Sequence, residues 1–432
     1  MEKNNYHITK PIDLRDFKLV IGRCQREENR KKTSEQILRK RIHYFIMEET
    51  ETTHRALRIL ELYSGIGGMH VAAKETGLPF EIVGSYEINT TALDVYRHNF
   101  PQTPKAYNIM GLTLEQLTAF APDIIMMSPP CQPFTRQGLK RDVADARTSS
   151  LLHLLGLLEE VHNPPSKILL ENVVGFEKSL ARERLLEMLS KRNYTWQEFL
   201  LSPTQFGIPN SRLRYYLLAK LQPASFCFTV SNELKEAVPF CLCAVNSSLT
   251  SCNCSKTRLN SLYNMLYKYH SSKNVATLET GDLYSDFPLP LSSYLNNDTN
   301  YEQLLLKDKI LDKYCMILDI VDRNFTRCCC FTKGYGHYVE GTGSVIRQDM
   351  NVDISSVYNK VNNLPVGDPK RLDLLKKLKL RYFTPDEIAK LMCFPSWFTL
   401  PQSLTVRQKY RVLGNSINIL VVTSLLLILC EE

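Results

Sequence analysis

A double proline directly after a short apolar run most constrains the fold of this chain. Residues 124–127 (IIMM) are typical of a buried strand in a parallel sheet, and residues 128–133 (SPPCQP) follow at once. Because proline cannot donate to a strand ladder, the chain must turn there. Cys131 is thereby predicted at the carboxyl edge of a strand, where open α/β sheets hold reactive groups. It is a candidate nucleophile, although an isolated cysteine is more often a small buried hydrophobic residue.

Strands alternate with helices of ten or more residues up to residue 221, which predicts a Rossmann-like, mainly parallel sheet with helices on both faces. The predicted strands are 57–63, 82–86, 123–127, 168–170, 195–201 and 213–219. One predicted helix starts near Met69, and three others cover 90–99, 149–161 and 180–191. This rhythm is absent from residues 222–383, which predicts a smaller, irregular second domain. Residues 384–387 (TPDE) then predict a capped helix start, so that residues 384–432 rejoin the first domain formed by 56–221.

Charge and cysteine content restrict the partners and the compartment. The net charge is +8, and residues 1–55 alone carry 13 Lys+Arg against 9 Asp+Glu, so we predict a basic, poorly ordered extension there. The 13 cysteines without a signal peptide predict a reducing compartment, the cytoplasm with the nucleus as a second location. The most apolar run, 417–429, is too short to span a bilayer, so we expect no membrane partner.

A glycine turn follows the first predicted strand. Gly65, Gly67 and Gly68 allow a backbone to approach a ligand closely, but His70 stands where the dinucleotide fingerprint needs its last glycine. Glu87 ends the next strand, at the distance where an acid meets a ribose diol in nucleotide-binding βαβ units. A nucleoside-bearing ligand without a pyrophosphate, such as S-adenosylmethionine, fits both features. The alternative is a turn that serves packing alone.

Three further groups of residues are each weak evidence for a functional site when taken alone. Glu171 ends an apolar strand, where dry surroundings raise a carboxyl pKa and favour proton donation; a surface glutamate is the alternative. Arg212 and Arg214 alternate at a strand start, so both point to one face and can clamp a carboxylate, a phosphate or a base, unless they are surface charges. Residues 414–418 (GNSIN) either close a pocket or cap a helix, and physical reasoning favours the cap.

The cysteines of the second region do not predict a metal site. The pairs Cys241/Cys243 and Cys252/Cys254 lack the usual two-residue spacing of zinc ligands. The adjacent cysteines 328–330 are predicted to be buried packing rather than a cluster site.

Taken together and in this order, the motifs resemble the cytosine-5 methyltransferases of DNA and RNA, from about Leu57 to Cys430. Residues 128–132 resemble the nucleophile motif of that family, residues 171–173 its glutamate motif, and residues 63–68 its cofactor loop. Residues 414–416 resemble its last motif. Residues 330–332 (CFT) with the following tyrosines and 341–344 (GTGS) resemble a signature of the tRNA(Asp) methyltransferase subfamily. Tyr63 in place of Phe, and Asn210 in place of Gln, agree with that subfamily.

The resemblance implies S-adenosylmethionine as cofactor and a target-recognition role for residues 222–383. Its catalytic residues would be Cys131, Glu171 and Arg212. Its cofactor-binding residues would be Tyr63, Ser64, Gly65, Ile66, Gly67, Gly68, Glu87, Ile109, Met110, Ser128 and Asn415. Asn108 stands near where many relatives carry an acid.

The implied reaction is methyl transfer to C5 of an anticodon-loop cytosine in tRNA, with Cys131 bonded transiently to C6 of the base. Tyr335 and Tyr338 are predicted to stack on loop bases. The alternative is that their segment only packs the two domains against each other. Candidates for a phosphate-tracking surface are Lys370, Arg371, Lys376, Lys377, Lys379, Arg381, Arg407, Lys409 and Arg411. We expect a monomer. DNA methylation and a catalytically silent nucleic-acid-binding paralogue are the alternative functions.

Overall fold

The structure is a computed structural model that describes residues 55–100, 105–130, 149–238, 288–296 and 301–431. The predicted basic extension, Cys131 and the four cysteines between 241 and 254 lie outside the described residues. Residues 56–432 form one compact unit, and the domain division at residues 221 and 383 stays a prediction.

A seven-stranded sheet organises the first part of the chain, in the order β3-β2-β1-β4-β5-β7-β6. Its strands are β1 (Leu57–Leu62), β2 (Phe80–Glu87), β3 (Lys105–Ala106), β4 (Ile124–Met127), β5 (Lys167–Val173), β6 (Tyr194–Leu201) and β7 (Arg214–Leu221). The pairs from β3 to β5 are all parallel, which confirms the predicted mainly parallel sheet.

Strand β7 is the exception, because it runs antiparallel to both of its neighbours, β5 and β6. Its first residue, Arg214, therefore pairs with Val173 at the carboxyl end of β5. The amino end of an antiparallel strand lies at the same edge of a sheet as the carboxyl ends of parallel strands. The reversal thus brings the two arginines to the edge where Cys131 and Glu171 were predicted.

Helices cover both faces of the sheet, as predicted. In chain order the helices are α1 (Gly68–Glu75), α2 (Thr90–Asn99), α3 (Leu114–Phe120), α4 (Ser149–Glu160), α5 (Leu180–Lys191), α6 (Asp308–Tyr314), α7 (Ile354–Val361), α8 (Pro369–Lys376), α9 (Pro385–Leu391), α10 (Val406–Gly414) and α11 (Ile419–Cys430). Consecutive residues of β1 point to opposite faces of the sheet. Ile59 packs with α1, α2 and α11, whereas Leu60 packs with α4 and α5. Sequence periodicity did not predict α3, α6, α7 or α8.

A second, smaller sheet lies within the predicted irregular region. Strands β8 (Ile320–Val321), β9 (Val345–Arg347) and β10 (Leu380–Arg381) are in the order β10-β9-β8, and a separate apolar cluster includes Val345 and Leu375. The predicted helix start after it is confirmed. The Thr384 side chain accepts from the amide of Glu387, and the Glu387 carboxylate accepts from the amide of Thr384.

The last apolar segment packs beside α1 on one face of the first sheet. The Thr423 hydroxyl of α11 donates to the Ala72 carbonyl of α1 at 3.2 Å. Residues 406–430 are long and apolar enough to cross a membrane by length and composition alone, but most of that stretch is buried inside the protein. Asn418 caps α11 by accepting from the amide of Val421, and residues 414–417 line a cavity, so the 414–418 turn does both of the things that the sequence offered as alternatives.

Candidate active site

The glycine turn between β1 and α1 has a backbone conformation that favours glycine. Tyr63, Gly65 and Gly67 all have positive φ (57°, 53° and 86°), a conformation that glycine adopts without steric cost. The amide of Gly67 donates to the Ser64 carbonyl at 2.8 Å. Gly67 is also the N-cap of α1 and has no capping side chain, so the turn leads its backbone straight into a helix start.

Glu87, at the end of β2, holds this turn from the neighbouring strand. One carboxylate oxygen accepts from the amide of Gly65 at 2.8 Å, and the other accepts from the amides of Ile88 and Asn89 at 2.8 and 2.7 Å. A carboxylate has about four lone-pair sites, so about one remains for a ligand hydroxyl. We call residues 63–68 and Glu87 the glycine-turn half of the site.

The end of β4 is fixed against the same turn. The Ser128 hydroxyl donates to the Tyr63 carbonyl at 3.1 Å, and the Asn172 side-chain amide donates to the Pro129 carbonyl at 3.4 Å. Pro130 lines the cavity described below, so the chain reaches that cavity one residue before Cys131.

Glu171 lies in the dry surroundings that the sequence predicted, with only 8% of its surface exposed. Burial raises its pKa above the ordinary value, while the guanidiniums of Arg214 and Arg212 oppose that rise. The nearer guanidinium belongs to Arg214, whose Nε lies 3.5 Å from Glu171 Oε1. A carboxyl whose pKa is raised, beside a fixed cation, can share a proton with a base placed against it.

Arg212 is buried and joins three distant segments. Its Nη1 donates to the Phe331 carbonyl at 3.1 Å and contacts Cys330 Sγ at 3.3 Å. Its Nη2 donates to the carbonyls of Gly414 and Ser416. Arginine geometry suits such a role, since one planar group offers several donors in fixed directions. Both terminal nitrogens are thus engaged with the protein itself, and the role of Arg212 in orienting a base stays a prediction.

Cys330 lies between the two arginines, since Arg214 Nη2 is also 3.6 Å from its Sγ. This contact confirms that both guanidiniums lie on one face. Burial alone would raise the pKa of the Cys330 thiol, but the two guanidiniums outweigh burial and lower it. By contrast, Cys328 is fully buried and packs as predicted, with its thiol donating to the Pro209 carbonyl. We call Glu171, Arg212, Arg214 and Cys330 the arginine half of the site.

One cavity of about 440 Å³ connects the two halves. Of the predicted site residues it is lined by Tyr63, Ser64, Gly65, Ile66, Gly68, Glu87, Ser128, Glu171, Arg212 and Asn415. Gly67 shapes the turn without lining the cavity. Ile109 and Met110, in a short helical turn whose cap is Asn108, do not line it either, so their predicted contact with a cofactor stays a prediction.

The sequence reasoning missed several lining residues. Ile88 and Asn89 follow Glu87 directly, and Lys333 follows the CFT motif; all three line the cavity. Adjacency to a recognised motif was the signal that could have found them. Ser416 and Ile417, near the predicted Asn415, also line it.

The predicted phosphate-tracking surface is wrong at two positions. Arg381 is fully buried in an ion pair with Glu387, and Arg371 is 5% exposed and pairs with Asp312. The other seven predicted cations lie at least partly on the surface, and Arg411 also lines the cavity. Tyr335 is 2% exposed, whereas Tyr338 is 64% exposed, so only Tyr338 is available for stacking in this structure.

A Rossmann-like sheet of this order, with a glycine turn after β1 and an acid ending β2, defines an S-adenosylmethionine-dependent methyltransferase fold. A family model described as C-5 cytosine-specific DNA methylase matches residues 57–429. The chain therefore belongs to the cytosine-5 methyltransferase family.

Similar proteins lie in the same family. A human protein named tRNA (cytosine(38)-C(5))-methyltransferase is 42% identical over 400 residues, covering 87% of this chain and 99% of the relative. A Dictyostelium discoideum protein named DNA (cytosine-5)-methyltransferase is 38% identical over 377 residues, covering 86% and 94%. The crystal structure of a Spodoptera frugiperda DNMT2 variant superimposes with a TM-score of 0.70 at 39% identity, covering 87% of this chain and all of that one.

Proposed function

We propose that this chain transfers a methyl group from S-adenosylmethionine to C5 of an anticodon-loop cytosine in tRNA, with tRNA(Asp) as the substrate. The observation that carries the proposal is the single cavity that joins the glycine turn and Glu87 to Glu171 and the arginine pair. Methyl transfer needs a nucleoside-bearing donor and a target base in contact. The glycine-turn half of the cavity would bind the donor, and the arginine half would bind the base.

The glycine-turn half fits the cofactor. Glu87 keeps about one lone-pair site for a ribose hydroxyl, and the exposed Ile88 side chain, 69% accessible, offers an apolar surface beside it. The glycines of the positive-φ turn allow backbone to approach the ligand closely. When bound, the cofactor supplies an electrophilic methyl group on a sulfonium.

The arginine half would activate the base. The Cys131 thiolate bonds to C6 of cytosine, which breaks the conjugation of the ring and makes C5 nucleophilic. Glu171, with its raised pKa, shares a proton with ring N3 and limits the charge that develops there. After methylation of C5, which would leave the cofactor as a neutral thioether, a base would take the C5 proton, and elimination of Cys131 would restore the ring. Arg214 holds Glu171 in place through its contact at 3.5 Å.

A tRNA substrate is supported by the relatives and by the charge at the cavity mouth. Lys333 and Arg411 are exposed cations that line the cavity, and cations beside a base pocket hold the flanking phosphates. The target base must leave its stack, which costs less from a single-stranded loop than from a duplex. DNA is the second candidate, because the Dictyostelium relative is named for that substrate.

The test is methyl transfer from labelled cofactor to total small RNA and to matched DNA, with RNase and DNase controls. We expect RNase-sensitive label, and then label in a tRNA(Asp) transcript that is lost when the anticodon-loop cytosine is replaced by uracil. Label that survives RNase and is removed by DNase would replace the tRNA proposal with the DNA one. Binding of RNA without label in any nucleic acid would favour the silent paralogue.

A further inference from the structure

A buried chain of three polar side chains lies directly beneath the glycine turn, and the proposed chemistry does not use it. Glu61 of β1 is completely buried, and its Oε2 lies 2.9 Å from the Tyr96 hydroxyl of α2. That hydroxyl lies 2.8 Å from Nδ1 of His70 in α1. The second oxygen of Glu61 accepts from the backbone amide of His70 at 3.2 Å. The chain therefore links β1, α1 and α2 around one hydroxyl.

This chain is in contact with the turn itself. A Cβ atom on Gly67 would lie 2.8 Å from the ring of Phe100 and 3.0 Å from the ring of Tyr96. The His70 ring stacks on Phe100 at 3.7 Å. Since Gly67 has no side chain to cap α1, Glu61 supplies an acceptor for an early amide of that helix in its place. A shift of Tyr96 or Phe100 would therefore move the turn.

We infer that Glu61, Tyr96 and His70 form a proton-sharing chain that positions the glycine turn for cofactor binding, with Glu61 protonated in the folded protein. The inference rests on the proposed use of S-adenosylmethionine. Glu61, Tyr96 and His70 do not line the cavity, so they are positioning residues.

The surroundings of Glu61 favour its neutral form. Burial raises the pKa of Glu61 from 4.5 to about 8, the bonds from Tyr96 and His70 oppose that rise, and the charge of Glu87 adds to it. No ion pair with Glu61 is found in the part of the chain that the structure describes. The groups facing the chain are Ser85 and Glu87 from β2, Met126 from β4, Lys74 from α1 and Tyr96 from α2. Burial, with Lys74 nearby, lowers the pKa of His70 to about 4, so its ring is neutral.

The two protonation states need opposite hydrogen-bond directions. With Glu61 protonated, its hydroxyl donates to Tyr96, and Tyr96 donates to Nδ1 of His70, which carries its proton on Nε2. With Glu61 ionised, Tyr96 donates to Glu61, and His70 must carry its proton on Nδ1 to donate to Tyr96. Ionisation also places a second negative charge near Glu87, which holds Gly65. We therefore expect the turn to bind cofactor less well when Glu61 ionises.

The matched variants are Glu61→Gln and Tyr96→Phe. Glutamine reproduces the protonated state, because its oxygen accepts from the His70 amide and its NH₂ donates to Tyr96, but it cannot ionise. Phenylalanine keeps the ring against Gly67 and removes the shared hydroxyl. Cofactor binding is measured by calorimetry from about pH 6.5 to about pH 9.5, without any nucleic acid, and the His70 tautomer is read from the ¹⁵N shifts of its ring.

We expect the affinity of the wild-type protein to fall about five-fold as the pH rises through 8, because ionised Glu61 adds a negative charge near Glu87, together with a change of the His70 tautomer. In Glu61→Gln both changes should disappear, and in Tyr96→Phe the tautomer should no longer follow the pH step. A wild-type affinity and tautomer that are constant over the range, or a step that persists in Glu61→Gln, would overturn the inference. Absence of cofactor binding at every pH would instead overturn the proposed function.

Discussion

The two halves of the site differ in how the chain builds them. The glycine-turn half comes from residues 63–87, in which a strand, a turn, a helix and a second strand follow one another. The arginine half brings together Glu171, Arg212, Arg214 and Cys330 from segments far apart in sequence, and Arg212 also donates to the Gly414 carbonyl. The first half is held by backbone amides that donate to one carboxylate. The second is held by one buried guanidinium that donates to carbonyls of two distant segments, at Phe331 and at Gly414 and Ser416.

This difference predicts different kinds of sensitivity. A local half can form from one βαβ unit, so changes there should alter affinity for the cofactor while the rest of the protein stays folded. A half assembled from distant segments depends on the packing of the whole protein, so changes there should alter stability and activity together.

Cys131→Ala should have the largest effect on activity. The thiolate is proposed to bond to the base and not to the cofactor, so methyl transfer should fall by at least ~1000-fold while cofactor affinity stays within about two-fold. Both are measured with labelled cofactor and by calorimetry. Substantial activity in this variant would remove Cys131 from the mechanism, and loss of cofactor binding would show that the two halves are not separable.

Gly414→Ala should break the assembly of the arginine half. An added Cβ would lie 2.2 Å from the backbone carbon of Thr332 and 2.3 Å from the amide nitrogen of Lys333. Backbone atoms cannot rotate away, so α10 must separate from the CFT segment, at a cost of ~3 kcal/mol or more in the free energy of unfolding.

The control for this variant is Gly156→Ala. Gly156 lies within α4, and its added Cβ would meet nothing within 4 Å. Alanine in a helix interior should stabilise the protein by about 0.5–1 kcal/mol. Thermal melts and methyl transfer are measured for both variants. If Gly414→Ala melts like the wild type, the close approach of the two segments does not support the site.

The same difference between short-range and long-range contacts explains which features the sequence could predict. The glycine turn, Glu87 and the capping box at Thr384 depend on short-range chemistry, and the structure has them where the pattern predicts. The antiparallel course of β7 does not follow from strand and helix alternation, because a strand carries no local mark of its direction. Without it, Arg214 could not be placed beside Glu171, 43 residues earlier in the chain.

The burial of two arginines could not be predicted from the sequence pattern either. Arg371 and Arg381 were predicted to be solvated cations, yet Arg371 pairs with Asp312 from a distant helix, and Arg381 is buried against Glu387, six residues later in the chain. Buried arginines are kept by such partners. A count of basic residues therefore overstates a nucleic-acid surface wherever the fold buries arginines in ion pairs, whether the acid is near or distant in sequence.

Glu87→Gln tests the glycine-turn half by itself. Glutamine keeps one acceptor oxygen but turns an NH₂ group toward backbone amides that also donate, so at least one of the three bonds is lost. We expect cofactor affinity to fall by about 1–3 kcal/mol, or roughly 5- to 150-fold. At saturating cofactor the rate should change much less, because Glu171 and the arginines are untouched. Calorimetry and the split between KM and kcat measure this, and an unchanged affinity would exclude Glu87 as a cofactor ligand.

The smallest effects should separate two tyrosines of the CFT region. Tyr335 is buried, its hydroxyl donates to the Ser344 carbonyl at 2.7 Å and accepts from the Phe383 amide at 2.9 Å. Tyr335→Phe should therefore lower the free energy of unfolding by about 1–3 kcal/mol, since a buried amide loses its acceptor. The activity of the protein that remains folded should be little changed. Tyr335 therefore fits a structural packing role rather than base stacking.

Tyr338 is largely exposed, and its ring lies 4.4 Å from that of His337. Tyr338→Leu keeps apolar bulk but removes the aromatic face, so stability should stay within about 0.5 kcal/mol. If the ring stacks on a loop base, tRNA methylation should fall about five-fold or more, since one base–aromatic stack contributes about 1–3 kcal/mol. Methylation at low tRNA concentration and melting temperature are compared for the two tyrosine variants. A Tyr338→Leu protein with normal methylation would leave Lys333 and Arg411 as the RNA contacts of the cavity mouth and remove the aromatic from that role.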